Sequence, residues 1–88
     1  MKIKQGITLK EIAGNFVVVP TKDELMDLSK MITINETGSL LFKAMENDVT
    51  LEHLCQVLKN EYEGASDDEI KNDVSDFVAL LKENDILE

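Results

Sequence analysis

The sequence predicts an α+β domain in which a three-stranded antiparallel sheet is followed by a three-helix bundle. Before residue 35 the apolar residues alternate and β-branched types are common, which is typical of strands. After Leu41 they recur every three or four residues, as on amphipathic helices. Asn35 stands where the period changes, and its short side chain can cap the first free N–H groups of a helix. We therefore expect residues 31–41 to join the sheet to the helices.

Length and composition limit what the chain can be. Its 88 residues make a single domain, residues 1–88, with no room for a second core. The net charge of −9 repels the phosphates of nucleic acids and membranes, so neither is an expected partner, although the charge also suits plain solubility. The single cysteine, Cys55, excludes an internal disulfide, and no apolar segment has the length of a signal peptide or membrane span. These features predict a cytoplasmic protein.

The first twenty residues predict a β-hairpin. Residues 1–6 are basic and expected to be loosely held. Ile7–Ile12 alternates like a half-buried strand, and residues 16–19 are a continuous apolar run that suits a strand buried on both faces. The turn signal between them is Ala13-Gly14-Asn15, because Gly and Asn tolerate positive φ. Pro20 ends the second strand, since proline lacks a donor for the ladder.

A third strand is indicated by the parity of apolar residues over residues 25–34. Four apolar residues share one parity, and they are Met26, Leu28, Ile32 and Ile34; the other parity holds Leu25, Asp27, Ser29, Met31 and Thr33. This predicts a strand with one buried face, interrupted near Ser29-Lys30. A helix over residues 23–30 is the competing interpretation, because that stretch holds several good helix formers. We prefer the strand, since a two-stranded hairpin alone is marginally stable.

Two short helices are predicted next. The first begins after Asn35 and ends at Asn47-Asp48, and the second begins at Thr50, a suitable N-cap, and stops before Gly64. The residues expected to be buried in the first helix are Leu40, Leu41, Ala44 and Met45. Those of the second form one stripe at helical spacing and are Leu51, Leu54, Cys55, Leu58 and Tyr62.

The third helix has the clearest start. Ser66 and Glu69 match a capping box, in which each side chain satisfies a backbone N–H of the other residue. The main apolar stripe is Ile70, Val74, Phe77, Val78 and Leu81. Asn84-Asp85 ends the helix, and Ile86-Leu87 is expected to fold back against the core.

Neither catalysis nor metal binding is predicted by the polar residues. His53 and Cys55 are two residues apart on a predicted helix and point to different faces, which disfavours a metal site and a Cys–His nucleophile pair alike. The carboxylates fall mostly on helix surfaces and turns, and the four glycines are scattered rather than gathered into a phosphate-binding loop. We therefore expect a protein that is not an enzyme and that needs no cofactor or metal.

Two other classes fit parts of the sequence. Acyl and peptidyl carrier proteins are acidic and of similar length, and they carry phosphopantetheine on a serine in an Asp-Ser-Leu motif. Here Ser39 follows Gly38 instead, and the strand-rich front half has no counterpart in a four-helix carrier. Strands followed by three helices also suggest a winged helix, but the chain has no arginine and its third helix is acidic, which disfavours DNA binding. A carrier modified on Ser39 and a generic protein-interaction winged helix remain as alternatives.

Three segments, in their order and spacing, resemble the PqqD family, named after protein D of pyrroloquinoline quinone biosynthesis. They are residues 16–20, 31–38 and 50–54. Residues 34–37, Ile-Asn-Glu-Thr, resemble the family's Leu-Asn-Glu-Thr-like step from strand into helix. Residues 84–88 resemble its closing segment, with Asp85 in place of the usual glycine. The resemblance covers the chain from Phe16 to the end.

The resemblance implies a winged-helix-like domain, also called a RiPP recognition element. Family members bind the leader segment of a ribosomally made precursor peptide and present it to a modifying enzyme, often a radical S-adenosylmethionine (radical SAM) enzyme. Any iron–sulfur cluster belongs to that partner, because this chain lacks the cysteines to hold one. An uncovered strand edge also makes a weak edge-strand dimer possible beside the monomer.

Carried over to this chain, the resemblance implies a leader that adds as a strand to the open sheet edge and places side chains in a groove. The receiving edge is expected to be Leu25, Met26, Asp27, Leu28 and Ser29. The opposite wall is expected to be Asp73, Phe77 and Leu80, with Asp76 also able to meet Lys or Arg of the leader. Phe77 and Leu80 make the apolar arc wider than one packing partner needs; the alternative is that they only thicken the core.

Overall fold

The computed structural model describes residues 1–20 and 31–88, with the backbone alone at Pro20, and its class is the predicted one. Strands β1 (Ile7–Ile12), β2 (Asn15–Pro20) and β3 (Ile32–Ile34) form a sheet of order β1-β2-β3. Both pairings are antiparallel. Helices α1 (Glu36–Ala44), α2 (Leu51–Glu61) and α3 (Asp67–Glu83) follow. A three-stranded antiparallel sheet followed by three helices is therefore confirmed.

A two-residue turn joins β1 to β2. Ile12 pairs with Asn15, so Asn15, expected in the turn, is instead the first residue of β2. The two central residues both have positive φ, 52° at Ala13 and 83° at Gly14, as in the hairpin turn whose twist matches that of the strands. Residues 17–19 are all buried, which confirms a strand covered on both faces.

Ala13 occupies a left-handed conformation that suits another residue better. We expect Ala13→Asn to raise the free energy of unfolding by about 1 kcal/mol, because asparagine tolerates positive φ at lower cost than alanine. Ala13 is exposed, so the substitution disturbs no core contact. The midpoint of urea denaturation measures the change, with Ala13→Val as the control, since a β-branched residue should lower it. Equal midpoints for the two variants would contradict this explanation.

The third strand is short within the described residues. Ile32 lies opposite Val18 and Ile34 opposite Phe16, whereas Met31 precedes the strand. The receiving edge expected at residues 25–29 and the competing helix over residues 23–30 both lie outside the described residues. In the described part of the sheet, β3 is one edge and β1 is the other.

Each helix begins at the residue that the sequence predicts. Asn35, Thr50 and Ser66 have extended backbones and accept a hydrogen bond from the backbone N–H three residues later. The distances are 2.7, 3.1 and 3.2 Å respectively. These bonds satisfy donors that the first helical turn leaves without a partner, so the three N-cap predictions are confirmed.

One hydrophobic core lies between the sheet and the helices, and the predicted stripe of α3 is buried within it. Two expectations about other side chains were wrong. Phe42, left out of the predicted stripe, is fully buried because α1 packs against both β3 and α2. Leu51, placed on the buried stripe of α2, is 49% exposed because it is the first residue of that helix and lines an open depression.

Residues 1–6 are not held loosely as expected. Ile3 is buried, its N–H donates to the Met45 carbonyl at 3.0 Å, and it forms an isolated bridge with Leu87. The Met1 amine contacts the Asp48 carboxylate at 2.7 Å. The N-terminal segment is therefore held between the end of α1 and the last residues of the chain.

The end of α3 explains why Asp85 can stand where family members have glycine. Asp85 has φ 56°, the left-handed conformation that normally favours glycine. Its N–H donates to the Lys82 carbonyl at 3.1 Å and the Ile86 N–H to the Leu81 carbonyl at 2.9 Å, which together close the helix in a Schellman motif. The Asp85 carboxylate contacts Lys4 at 2.6 Å, and Ile86 is buried, so the predicted fold-back onto the core is confirmed.

An exposed ion pair connects the end of α2 to the start of α3. Lys59 Nζ lies 2.7 Å from the Asp67 carboxylate. This hydrogen bond, together with the attraction of the two charges, lowers the pKa of Asp67 and raises the pKa of Lys59. Because water screens both side chains, the pair contributes little to stability.

Candidate functional site

A groove of about 350 Å³ lies between β3, the first turn of α1 and α3. The strand, the junction after it and the first turn of α1 supply one wall and the floor, and one face of α3 supplies the other wall. The residues that line it are Thr33, Ile34, Asn35, Thr37, Gly38, Leu41, Asp73, Asp76, Phe77 and Leu80. Residues distant in sequence thus meet in one open depression.

Phe77 forms the apolar centre of this groove. Its side chain is 8% exposed and belongs to the hydrophobic core, yet it also lines the groove. It packs closely on the first turn of α1: a Cβ atom placed on Gly38 would lie 3.0 Å from Phe77 Cε1 and 3.2 Å from Ile34 Cβ. Only glycine leaves that space, so Gly38 lets the ring lie between strand and helix.

The outer rim of the groove is negatively charged. Leu80 is half-buried beside Phe77, and Asp73 and Asp76 are exposed on the same face of α3. These two aspartates are the only charged residues among the described residues that line the groove. An apolar centre at Phe77 and Leu80 with carboxylates along one side suits a ligand that combines apolar side chains with Lys or Arg.

The backbone of β3 supplies a second binding feature. This strand pairs with β2 on one side, and no described residue pairs with it on the other. An edge strand offers N–H and C=O groups that can accept an added strand. Because Thr33 and Ile34 of this strand also line the groove, a strand added here would run beside the pocket.

The structure brings together part of the site expected from the sequence. Asp73, Phe77 and Leu80 line one wall of the groove, and Asp76 lies with them. The expected receiving edge lies outside the described residues. Sequence reasoning did not find the contribution of α1, where the close approach of Gly38 to Phe77 depends on tertiary packing that no local pattern records. Whether these residues bind a peptide stays a prediction.

The other candidates from the sequence do not form sites. Ser39 is 2% exposed, and its Oγ donates to the Glu36 carbonyl at 2.6 Å, so its hydroxyl is not placed for attachment of a cofactor. His53 is exposed and Cys55 half-buried. Within residues 1–20 and 31–88, no group of three or more His, Cys, Asp or Glu side chains is arranged to hold a metal ion. None of the described helices combines the length and apolar character needed to cross a membrane.

The fold and the groove define a small winged-helix-like domain with a groove of mixed lining beside a strand edge that no described residue covers. The family model for coenzyme PQQ synthesis protein D (PqqD) matches residues 17–87. The chain belongs to the PqqD family. No curated protein matches the sequence.

Two solved structures have the same fold. One is TbiB1 in complex with the TbiA(beta) leader peptide, with a TM-score of 0.75 and 19% identity over 100% of this chain and 95% of that chain. The other is lasso peptide synthetase B1 complexed with the leader peptide, with a TM-score of 0.72 and 18% identity over 99% of this chain and 95% of that chain. At this level of identity the likeness establishes the fold.

Proposed function

We propose that this protein captures the leader segment of a ribosomally synthesised precursor peptide by strand addition and presents it to a modifying enzyme. The leader pairs with the open sheet edge, and its side chains enter the groove between β3 and α3. The protein itself is not an enzyme. The modifying enzyme is proposed to be a radical SAM enzyme, which brings its own cofactor. The domain acts in the cytoplasm as a monomer, and any dimer through the same strand edge is weak.

A single observation carries this proposal: the outer edge of β3, with which no described residue pairs, lies beside a groove that has an apolar centre and an acidic rim. Backbone pairing along an edge gives affinity for any extended peptide, whereas pockets beside it select particular side chains. The pocket is open and holds no cluster suited to catalysis or metal binding among the described residues, which favours binding over chemistry.

The family and the structural neighbours point to the same ligand. Both of the solved structures described above are complexes with leader peptides. The carrier alternative, in contrast, needs an accessible hydroxyl at Ser39, which is buried. The remaining alternative is a generic protein-interaction winged-helix domain. Leader binding is the stronger hypothesis, because it specifies the ligand and can be tested with it.

The direct test is a titration with the leader segment of the precursor peptide encoded beside this chain. With ¹⁵N-labelled protein, we expect amide shifts concentrated at Thr33, Ile34 and residues of the α3 wall, with small shifts in β1. A scrambled leader of the same composition is the control. Binding that leaves β3 unshifted would contradict strand addition, and no binding by any neighbouring peptide would count against the whole proposal.

The acidic rim makes a prediction about charge. We expect Asp73→Asn and Asp76→Asn each to weaken binding of a leader that carries Lys or Arg by about threefold, since exposed ion pairs contribute about 0.2–1 kcal/mol. Affinity should also depend less on salt in the variants than in the parent. Asp68→Asn on the same helix is a matched control, because Asp68 is exposed but does not line the groove. An equal loss in all three variants would indicate an effect of net charge rather than contact.

A further inference from the structure

A second apolar depression lies between α2 and α3. Its volume is about 360 Å³, similar to that of the groove between β3 and α3, which we call the leader groove. The exposed lining of the second depression is mainly apolar. We call it the α2–α3 face and define it by Leu51, Glu52, Cys55, Lys59, Lys71 and Val74. A shallower depression lined by Met1 and Val49 continues from it, because Leu51 and Glu52 line both.

The α2–α3 face and the leader groove lie on different sides of α3. A helix has 3.6 residues per turn, so the mean direction of Lys71 and Val74 lies roughly 120° from that of Asp73, Phe77 and Leu80. No described residue lines both depressions. A ligand in the groove therefore leaves the α2–α3 face accessible, and two partners can bind at the same time.

The side chains of the α2–α3 face have the character of a protein interface. Leu51 is 49% exposed, which makes it one of two large apolar side chains exposed in the described chain. Val74 is buried and Cys55 half-buried in the same depression. Lys71 and Glu52 lie with this apolar centre, and Lys59, which also lines it, is paired with Asp67. An apolar centre with a charged rim is the usual anatomy of an interface.

We propose that the α2–α3 face docks the modifying enzyme to which the leader is presented, an inference that rests on the proposed function. The face would receive an apolar side chain of the enzyme in the depression and a carboxylate beside Lys71. A second copy of this chain fits less well, because the contact would bring together two chains of charge −9. Enzyme and leader would then be held on different sides of α3.

Cys55 makes the proposal directly measurable. It is the only cysteine of the chain and lies on the α2–α3 face, so the rate of its alkylation by iodoacetamide reports whether the face is covered. The probe is the intact modifying enzyme encoded beside this chain, and mass spectrometry of the peptide that contains Cys55 separates its alkylation from that of the enzyme's own cysteines. We expect the enzyme to slow alkylation of Cys55 by about tenfold, and the leader peptide alone to leave the rate unchanged.

A pair of matched variants tests the same face by affinity. Leu51→Asp should weaken binding of the enzyme by roughly tenfold or more, because it places a charge in the apolar centre. The helix should tolerate the change, since an acidic residue suits a helix N-terminus. Ile12→Asp is the control, because Ile12 is 46% exposed but lies at the end of β1. Both variants should bind the leader with the affinity of the parent.

The outcomes separate this inference from the proposed function. If the enzyme fails to bind, or binds without slowing alkylation of Cys55, the α2–α3 face is not its docking site, and leader binding is unaffected as a proposal. If Cys55 is protected by raising the concentration of this chain alone, the face is a contact between copies and the inference is overturned. If the leader does not bind the parent protein, the proposed function itself has failed.

Discussion

Phe77→Ala is expected to lower the free energy of unfolding by about 3–5 kcal/mol and to weaken leader binding by about 30-fold or more. Both effects follow from the two roles of this ring. It belongs to the hydrophobic core, so its removal leaves a cavity, and it is the aromatic centre of the groove, so its removal takes away the expected anchor for a leader side chain. Urea denaturation measures the first effect and calorimetric titration the second.

The two effects need separating, because a destabilised protein also binds less. Leu81→Ala is a matched control: Leu81 is fully buried on the same helix, but it does not line the groove. We expect it to cost about 2–5 kcal/mol in stability while its folded fraction binds the leader as the parent does. Phe77→Leu adds a third comparison, since it keeps most of the apolar volume and should cost less stability than Phe77→Ala. If the folded fractions of Phe77→Ala and Leu81→Ala bind equally, the ring is core alone and the groove assignment is wrong.

Features that depend on local sequence were predicted correctly. The three N-caps need only a short polar side chain before an amphipathic run, and Asn35, Thr50 and Ser66 all act as predicted. The same holds for the apolar stripe of α3, which is buried. Phe77 and Leu80, which widen that stripe, line the groove, and their role in binding a peptide stays a prediction. A helix that packs inward and also lines a groove must carry apolar residues over a wider arc, and periodicity records that arc.

Features that depend on distant parts of the chain were not predicted. The apolar residues of segment 1–6 have no helical or strand period. Ile3 is buried where it bonds to Met45 and forms a bridge with Leu87, 84 positions away. Phe42 is buried because α1 packs against both β3 and α2. Leu51 is exposed because it lies at the start of α2, which the described residues leave uncovered. Periodicity gives the direction of a side chain, but burial depends on which neighbour arrives there.

Strand addition predicts an alternating effect of backbone methylation along the leader. In an added strand, the N–H groups of one parity point to β3 and those of the other parity point away. A single N-methyl group of the first parity removes a hydrogen bond and also separates the two backbones. We therefore expect it to weaken binding by about tenfold or more, where the lost hydrogen bond alone contributes about 0.5–1.5 kcal/mol.

The leader methylated at the other parity is the natural control, since it carries the same added methyl group and the same restriction of its backbone. It should bind within about twofold of the unmodified peptide, because its methyl group points away from the sheet. A helical leader would lose affinity at both parities, and a leader held only by its side chains would lose it at neither. Fluorescence anisotropy over a series of singly methylated peptides thus distinguishes the three modes. Only a loss that alternates along the peptide identifies strand addition, and the amide shifts of Thr33 and Ile34 then distinguish β3 from β1, the other edge of the described sheet.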